Sequence, residues 1–255
     1  GDCLKVELRA GNVYTSRNIV SFIGPLLSHY QKRFPSSYRI VRGDSGFAHK
    51  ELYKLCETLN TNYVIRLKAN ATLYRLAKEV MDVFLEECSL QYSQQFYGEF
   101  EYQAKSWDRP RRVIVQVRRK AGELIPDYLF LVTNMETRPE MVISLYAKRG
   151  TMENYIKECK NGFRMDKVSH KHWMTNVNRI QLMVLAYNLI NGFRRLTLPH
   201  EFSKMQIETL RIKLIKIAAK RVKQSRRIMF KLCSHHPYKE VFHHCLKTIQ
   251  AIQLE

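Results

Sequence analysis

Strand-like and helix-like stretches alternate through the first third of this sequence, and that alternation restricts the fold more than any single motif does. Leu4-Lys5-Val6-Glu7-Leu8 switches between apolar and polar residues with the period of two of a half-buried strand. Ala10-Gly11-Asn12 then breaks the pattern. Over residues 18–34, Ile19, Phe22, Ile23, Leu26, Leu27 and Tyr30 recur at helical spacing, with Gly24-Pro25 expected to shorten or kink the start. A strand over 38–42, a helix over 47–59, a strand over 63–67 and a helix over 73–87 follow. Strands separated by helices of this length predict an α/β fold around a largely parallel or mixed sheet.

The texture changes after residue 88. Phe96-Tyr97-Gly98-Glu99-Phe100-Glu101-Tyr102, Arg112-Val113-Ile114-Val115-Gln116-Val117 and Tyr128-Leu129-Phe130-Leu131-Val132 carry strand character, so residues 89–133 read as a β-rich insertion of hairpins whose last strand could rejoin the main sheet. Everything after Pro139 reads as helical, over about 145–161, 176–195, 206–232 and 238–250. The expected division is therefore 1–88, 89–133, 134–195 and a basic helical region 196–255.

Charge narrows the partners. The chain has 43 Lys+Arg against 23 Asp+Glu, a formal net charge of +20, in a globular composition of 255 residues. Such an excess costs stability by self-repulsion and points to a polyanion. Between Lys204 and Lys231 the sequence has ten Lys/Arg and one acid, Glu208, above apolar residues at helical spacing, and this predicts a basic amphipathic helix. No apolar run reaches the roughly 20 residues of a membrane span. Cys3, Cys56, Cys88, Cys159, Cys233 and Cys245 are scattered, which suits reduced thiols rather than a disulfide scaffold.

Two groups of residues could carry chemistry. Asp44, within Arg42-Gly43-Asp44-Ser45-Gly46-Phe47, falls where a strand is expected to end, and sites in open α/β sheets lie at such carboxyl ends. An acid there can hold a metal; the same Asp-Ser-Gly can equally make a turn and cap the next helix. The second group is Tyr146, Arg149, Glu153 and Lys160, with Lys157 beside them. On one continuous helix, Arg149, Glu153 and Lys160 would fall within about 40° of a common face. An ordinary ion-pair face has this look too. Against that, Arg149 near a helix start is disfavoured by the helix dipole unless an anion lies close by.

The hexapeptide around Asp44, followed by the Y-(2)-R-(3)-E-(6)-K spacing of Tyr146, Arg149, Glu153 and Lys160, resembles the DDE transposases of bacterial insertion sequences. Leu8-Arg9-Ala10-Gly11-Asn12, Trp107 before Pro110-Arg111-Arg112-Val113, and Val132-Thr133-Asn134 agree with that group, as do Ala186-Tyr187-Asn188-Leu189 and Leu210-Arg211-Ile212-Lys213. The resemblance implies a ribonuclease H-like mixed sheet flanked by helices, with a β-rich insertion and a basic helical C-terminal region. It implies cut-and-paste transposition: three carboxylates holding two Mg²⁺ or Mn²⁺ ions, which activate a nucleophile and stabilise the leaving oxygen. Asp44 matches the second acid and Glu153 the third. Tyr146, Arg149, Lys157 and Lys160 match the phosphate-gripping face, and Arg211, Lys213, Arg221 and Arg226 the basic tail. Trp107 is a candidate for stacking on a flipped base, with a packed core position as the alternative. The implied partners are double-stranded DNA and a second copy in a synaptic dimer, in the cytoplasm at the nucleoid.

In that topology the first acid lies on the first strand, and this sequence is expected to enter at the third. Asp2 and Glu7 lie on the wrong strand to replace the missing acid, so the sequence is expected to be a fragment, inactive by itself. Cys233-x-His235-His236 and His243-His244-Cys245 match no common zinc spacing and read as a helical junction. His170 and His172 lie in an expected loop. The rival functions are a non-catalytic basic DNA-binding protein and a ribonuclease H-like nuclease without strand transfer.

Overall fold

The computed structural model describes residues 1–14, 16–86 and 91–253, and the side chains of 82–86 are not part of that description. Cys88 and the expected boundary after residue 88 lie outside the described residues. The chain forms two compact units, Gly11–Gly150 and Gly1–Ala10 with Thr151–Glu255.

The first unit is built on a sheet. Helix α1 (Ile19–Arg33), strand β1 (Ile40–Gly43), helix α2 (Lys50–Thr58), strand β2 (Asn62–Leu67) and helix α3 (Ala71–Glu86) come first. Strands β3 (Gln94–Tyr102), β4 (Arg111–Arg119) and β5 (Asp127–Thr133) follow, and helix α4 (Pro139–Ala147) closes the unit. Pro25 lies inside α1 without ending it. The strand order is β1-β2-β5-β4-β3. β1 and β2 are parallel and the remaining neighbours antiparallel, so this is a mixed sheet. The β-rich stretch does not stand apart as a separate layer: its three strands extend the main sheet, with β5 seated beside β2.

Period-two alternation gives this sheet two apolar faces. Val113, Val115, Val117, Phe130 and Val132 pack on one side with Leu52, Tyr53, Leu73 and Ala77 from α2 and α3. Val64, Ile114 and Leu131 pack on the other with Val142, Ile143 and Tyr146 of α4. Helices thus cover both faces. A half-buried ion cluster ties α2 to the meander. Glu57 accepts from Arg111 through both oxygens, at 3.0 and 3.2 Å, and from the Tyr63 hydroxyl at 3.0 Å. The Arg111 guanidinium lies over the rings of Tyr53 and Trp107.

The second unit is mainly helical. It contains α5 (Gly150–Phe163) from Thr151 onward, the long α6 (Trp173–Thr197), a single turn α7 (Ile207–Leu210) and α8 (Lys239–Ala251). The expected strand over residues 4–8 does not form. Side chains of α6 hold this stretch instead: Asn188 bonds the backbone N–H and carbonyl of Cys3, and Gln181 donates to the Val6 carbonyl. Asp2 pairs with Arg195, and Glu7 with Arg9.

The expected basic helix over 206–232 is also replaced. After α7 comes a π turn, Arg211–Ile215, then a hairpin of β6 (Ala219–Gln224) and β7 (Arg227–Leu232). Val222, Ile228 and Phe230 favour strands over helices, and Ser225 takes the positive φ of 46° that a two-residue hairpin loop accommodates. Among the described residues no helix is long and apolar enough to cross a membrane, and the five described cysteines form no disulfide.

Candidate active site

Asp44 follows directly on β1, at the carboxyl end of a strand. Its Oδ1 accepts from the Gly46 backbone N–H at 3.0 Å and so caps the 3₁₀ turn Ser45–Phe47. That turn folds Phe47 back over the strand end. A Cβ on Gly43 would lie 3.0 Å from the Phe47 Cβ, so glycine is the residue that fits.

The capping role leaves the other oxygen for a long-range contact. Asp44 Oδ2 lies 3.3 Å from Nη2 of Arg149, a residue 105 positions further along the chain. The two sequence motifs, which share nothing but spacing in the linear sequence, meet here. Arg42 helps to bring them together: its guanidinium donates to the Leu145 carbonyl at 2.7 Å, tying β1 to the last turn of α4. A cation at a helix C-terminus is also favoured by the helix dipole.

Tyr146 completes this corner from the last turn of α4. It is 8% exposed and packs in the core under α4. Burial pushes its phenol up from the usual value of 10.0, opposed by the charges of Arg149 and Arg66 and reinforced by Asp44. The phenol therefore remains a hydrogen-bond donor at neutral pH. Arg42 and Arg66 were not among the residues singled out from sequence. The signal for them is the register: Arg42 pairs with Val64 across the parallel ladder, and Arg66 lies two residues on, on the same face of β2 as Val64. A sequence without a known register does not reveal that.

The continuous helix expected from Tyr146 to Lys160 is broken. α4 ends at Ala147, Lys148 caps it, and α5 begins at Gly150, so Arg149 sits in the turn between them and shares no helix face with Glu153. Gly150 is a poor interior helix residue, and the pull of Asp44 on Arg149 favours the turn. Within α5 the expected spacing holds. Glu153, Lys157 and Lys160 are exposed at i, i+4 and i+7. Glu153 lies in the first turn and Lys160 in the last, each at the end of the helix where the dipole favours its charge.

The donor set does not fit a metal pair. One Asp44 oxygen serves the turn and the other faces a guanidinium. Among the described residues no three His, Cys, Asp or Glu side chains converge on a point. Two divalent ions need several carboxylate oxygens at once. The clustered His and Cys near the C-terminus serve structure: Cys245 is buried and donates to the Thr197 carbonyl, and His236 accepts from the Tyr238 N–H. Asn176 likewise holds the backbone of His170.

The remaining expected DNA contacts are placed as follows. Trp107 is 8% exposed and packed edge-on against Tyr53 and Tyr102, so it is a core residue and its ring faces are covered. Of the two roles expected for Trp107, this placement fits the packed core position, with Arg111 over its ring. Arg211 donates to the Gly162 carbonyl and to Glu208, and Lys213 stands 4.6 Å from the centre of the Tyr238 ring. Arg221 and Arg226 are exposed on the hairpin. The helical unit also has an open cleft of about 990 Å³, where Arg164, Arg179, Arg211 and Lys216 stand around Leu182 and Met183.

Residues 1–254 match the family described as transposase DDE domain, group 1. A comparison with curated proteins gave no match.

Proposed function

Since the chain belongs to the transposase DDE domain group 1 family, whose members are enzymes of DNA transposition, we propose that it cleaves DNA strands at the ends of a bacterial insertion sequence and transfers them to a target by cut-and-paste. The observation that carries this reading is the 3.3 Å contact between Asp44 and Arg149. It joins the strand-end acid to the Tyr-Arg-Glu-Lys signature, which neither a plain basic DNA-binding protein nor an ordinary turn requires.

In this reading Asp44 and Glu153 are two of the catalytic carboxylates. Family members normally use divalent metal ions; with its oxygens on Gly46 and Arg149, Asp44 would have to release a partner before it could hold one. Arg149 is held at the strand end by Asp44, and its guanidinium would supply positive charge to a phosphodiester bound there. Tyr146, kept protonated by burial, donates beside it. Lys157 and Lys160 extend positive charge along α5, where a bound phosphate backbone would run. Arg211, Lys213, Arg221 and Arg226 add contacts to duplex DNA outside the cleavage point. Pairing two transposon ends calls for a second copy of the protein.

The test uses the natural open reading frame that carries this sequence, with Mg²⁺ and a duplex bearing the element's terminal repeat. Asp44→Asn or Glu153→Gln is expected to abolish strand cleavage while largely sparing DNA binding. Cleavage that survives either substitution would refute the assignment. Cleavage with no joined product would reduce the activity to that of a nuclease.

A further inference from the structure

The hairpin of β6 and β7 is at odds with its own surroundings. Six of its residues are cations: Lys220, Arg221, Lys223, Arg226, Arg227 and Lys231. No acid occurs between Glu208 and Glu240, and among the described residues none of the six cations pairs with an acidic side chain. Every residue of β7 is exposed, including Ile228 at 58% and Phe230 at 65%, and all of β6 except Val222 is exposed as well. A two-stranded hairpin with so little of its surface covered is marginal in water.

Register makes the charge problem sharper. Lys220 lies directly opposite Lys231, and Gln224 opposite Arg227, on one face of the ribbon. Arg221 and Lys223 point to the other face, opposite Phe230 and Ile228. Like charges directly across a ladder destabilise it. A polyanion lying along both sides would turn that repulsion into attraction. The exposed aliphatic and aromatic residues between the cations would meet the sugars and base edges.

From this we infer that the hairpin is a duplex-DNA-binding ribbon that enters the major groove, with its cations on the phosphates of the two flanking strands. Two strands about 4.8 Å apart, with their side chains, match a groove about 12 Å wide. Four of the six cations (Lys220, Lys223, Arg227 and Lys231) were expected only as part of a basic helix, and the ribbon geometry was not expected at all. The inference rests on the DNA-acting reading above, and adds an element separate from Asp44, Arg149 and Glu153.

The experiment compares two triple variants of the whole protein that remove equal charge. One carries Lys220→Thr, Lys223→Thr and Lys231→Thr. Threonine keeps strand propensity, and the change relieves the Lys220–Lys231 repulsion, so thermal stability should hold or rise. The control carries Lys32→Thr, Lys78→Thr and Lys105→Thr, all exposed in the sheet unit. Binding to a 30-base-pair DNA duplex is followed by fluorescence anisotropy across salt concentrations. The hairpin variant should lose about 2.7 units of the log–log salt slope, at about 0.9 per lost phosphate contact, and the control should keep its slope. The unmodified protein should also prefer the DNA duplex to an RNA duplex of the same sequence, whose narrow major groove excludes a ribbon. Equal slopes in the two variants would overturn the ribbon while leaving the transposase reading intact. Equal affinity for the two duplexes would overturn entry into the groove. Failure of the unmodified protein to bind any duplex would overturn both readings.

Discussion

In the sheet unit, Tyr53, Tyr63, Ile65, Ile114 and Leu131 are completely buried, whereas in the helical unit Leu182, Leu189, Leu196 and Ile212 are each 63–66% exposed. The contrast has a geometric cause. A sheet with two apolar faces is closed by α1, α2 and α3 on one side and α4 on the other, so alternate residues of every central strand find cover. The 25-residue α6 has no such pair of layers. Its interior neighbours reach only part of its circumference, with Leu198, Leu210, Leu214 and Cys245 forming a small core. The sheet unit is thus organised around its own burial. The helical unit presents cations and uncovered apolar residues together, a surface suited to association.

The contrast can be tested by substitution. Arg111→Ala removes two charged hydrogen bonds from half-buried Glu57, which keeps only Arg109 and the Tyr63 hydroxyl, so it should destabilise the sheet unit by about 3–5 kcal/mol in urea unfolding. A loss below about 1 kcal/mol would mean that the pair is not held dry. Leu131→Ala should cost about 2–5 kcal/mol, and the exposed Leu189→Ala no more than about 0.5 kcal/mol. Comparable costs at the two positions would erase the distinction between the units.

The helical unit is nonetheless tight at one point. A Cβ on Gly162 would stand 2.2 Å from Cγ2 of Ile207, so Gly162→Ala should cost about 1–3 kcal/mol, measured as a lowered Tm. A neutral result would show that α5 and α7 give way there. The smallest effect is alkaline. Burial raises the Cys56 thiol from its usual 9.0 to about 12, so the unfolded chain ionises first as pH rises. The folded state then binds more protons than the unfolded one, and stability must fall above about pH 9, by on the order of 1 kcal/mol at pH 10. In Cys56→Ala the same urea midpoints should decline less steeply; an identical decline would exclude Cys56 as a cause.

Much of the sheet was legible because its signals are local. Alternation over Tyr63-Val64-Ile65-Arg66-Leu67 and over Arg112 to Val117 gave β2 and β4 to within a residue or two. The failures share a physical reason. Residues 4–8 alternate like a strand, but the segment is held by side chains of α6, Gln181 on the Val6 carbonyl and Asn188 on the adjoining Cys3, which periodicity cannot reveal. The stretch 219–232 carries apolar residues that satisfy either period, and Ser225 at φ 46° decides for a hairpin. The turn at Arg149 depends on a carboxylate 105 residues away. At the site, the identity of Asp44 and the spacing of the signature were visible in the sequence. The Asp44–Arg149 contact, and the support given by Arg42, required the fold.

That contact is the centre of the account, and a double-mutant cycle on strand cleavage tests it most directly. In the natural reading frame, Asp44→Asn, Arg149→Ala and the double variant would be compared on a duplex carrying the terminal repeat. If the two residues act as one unit, each single substitution should remove most of the activity, and the double variant should be no worse than the more damaging single. Independent, multiplying losses, or an Arg149→Ala variant that cleaves at the normal rate, would show that the 3.3 Å pair is a structural tie rather than part of the catalytic site.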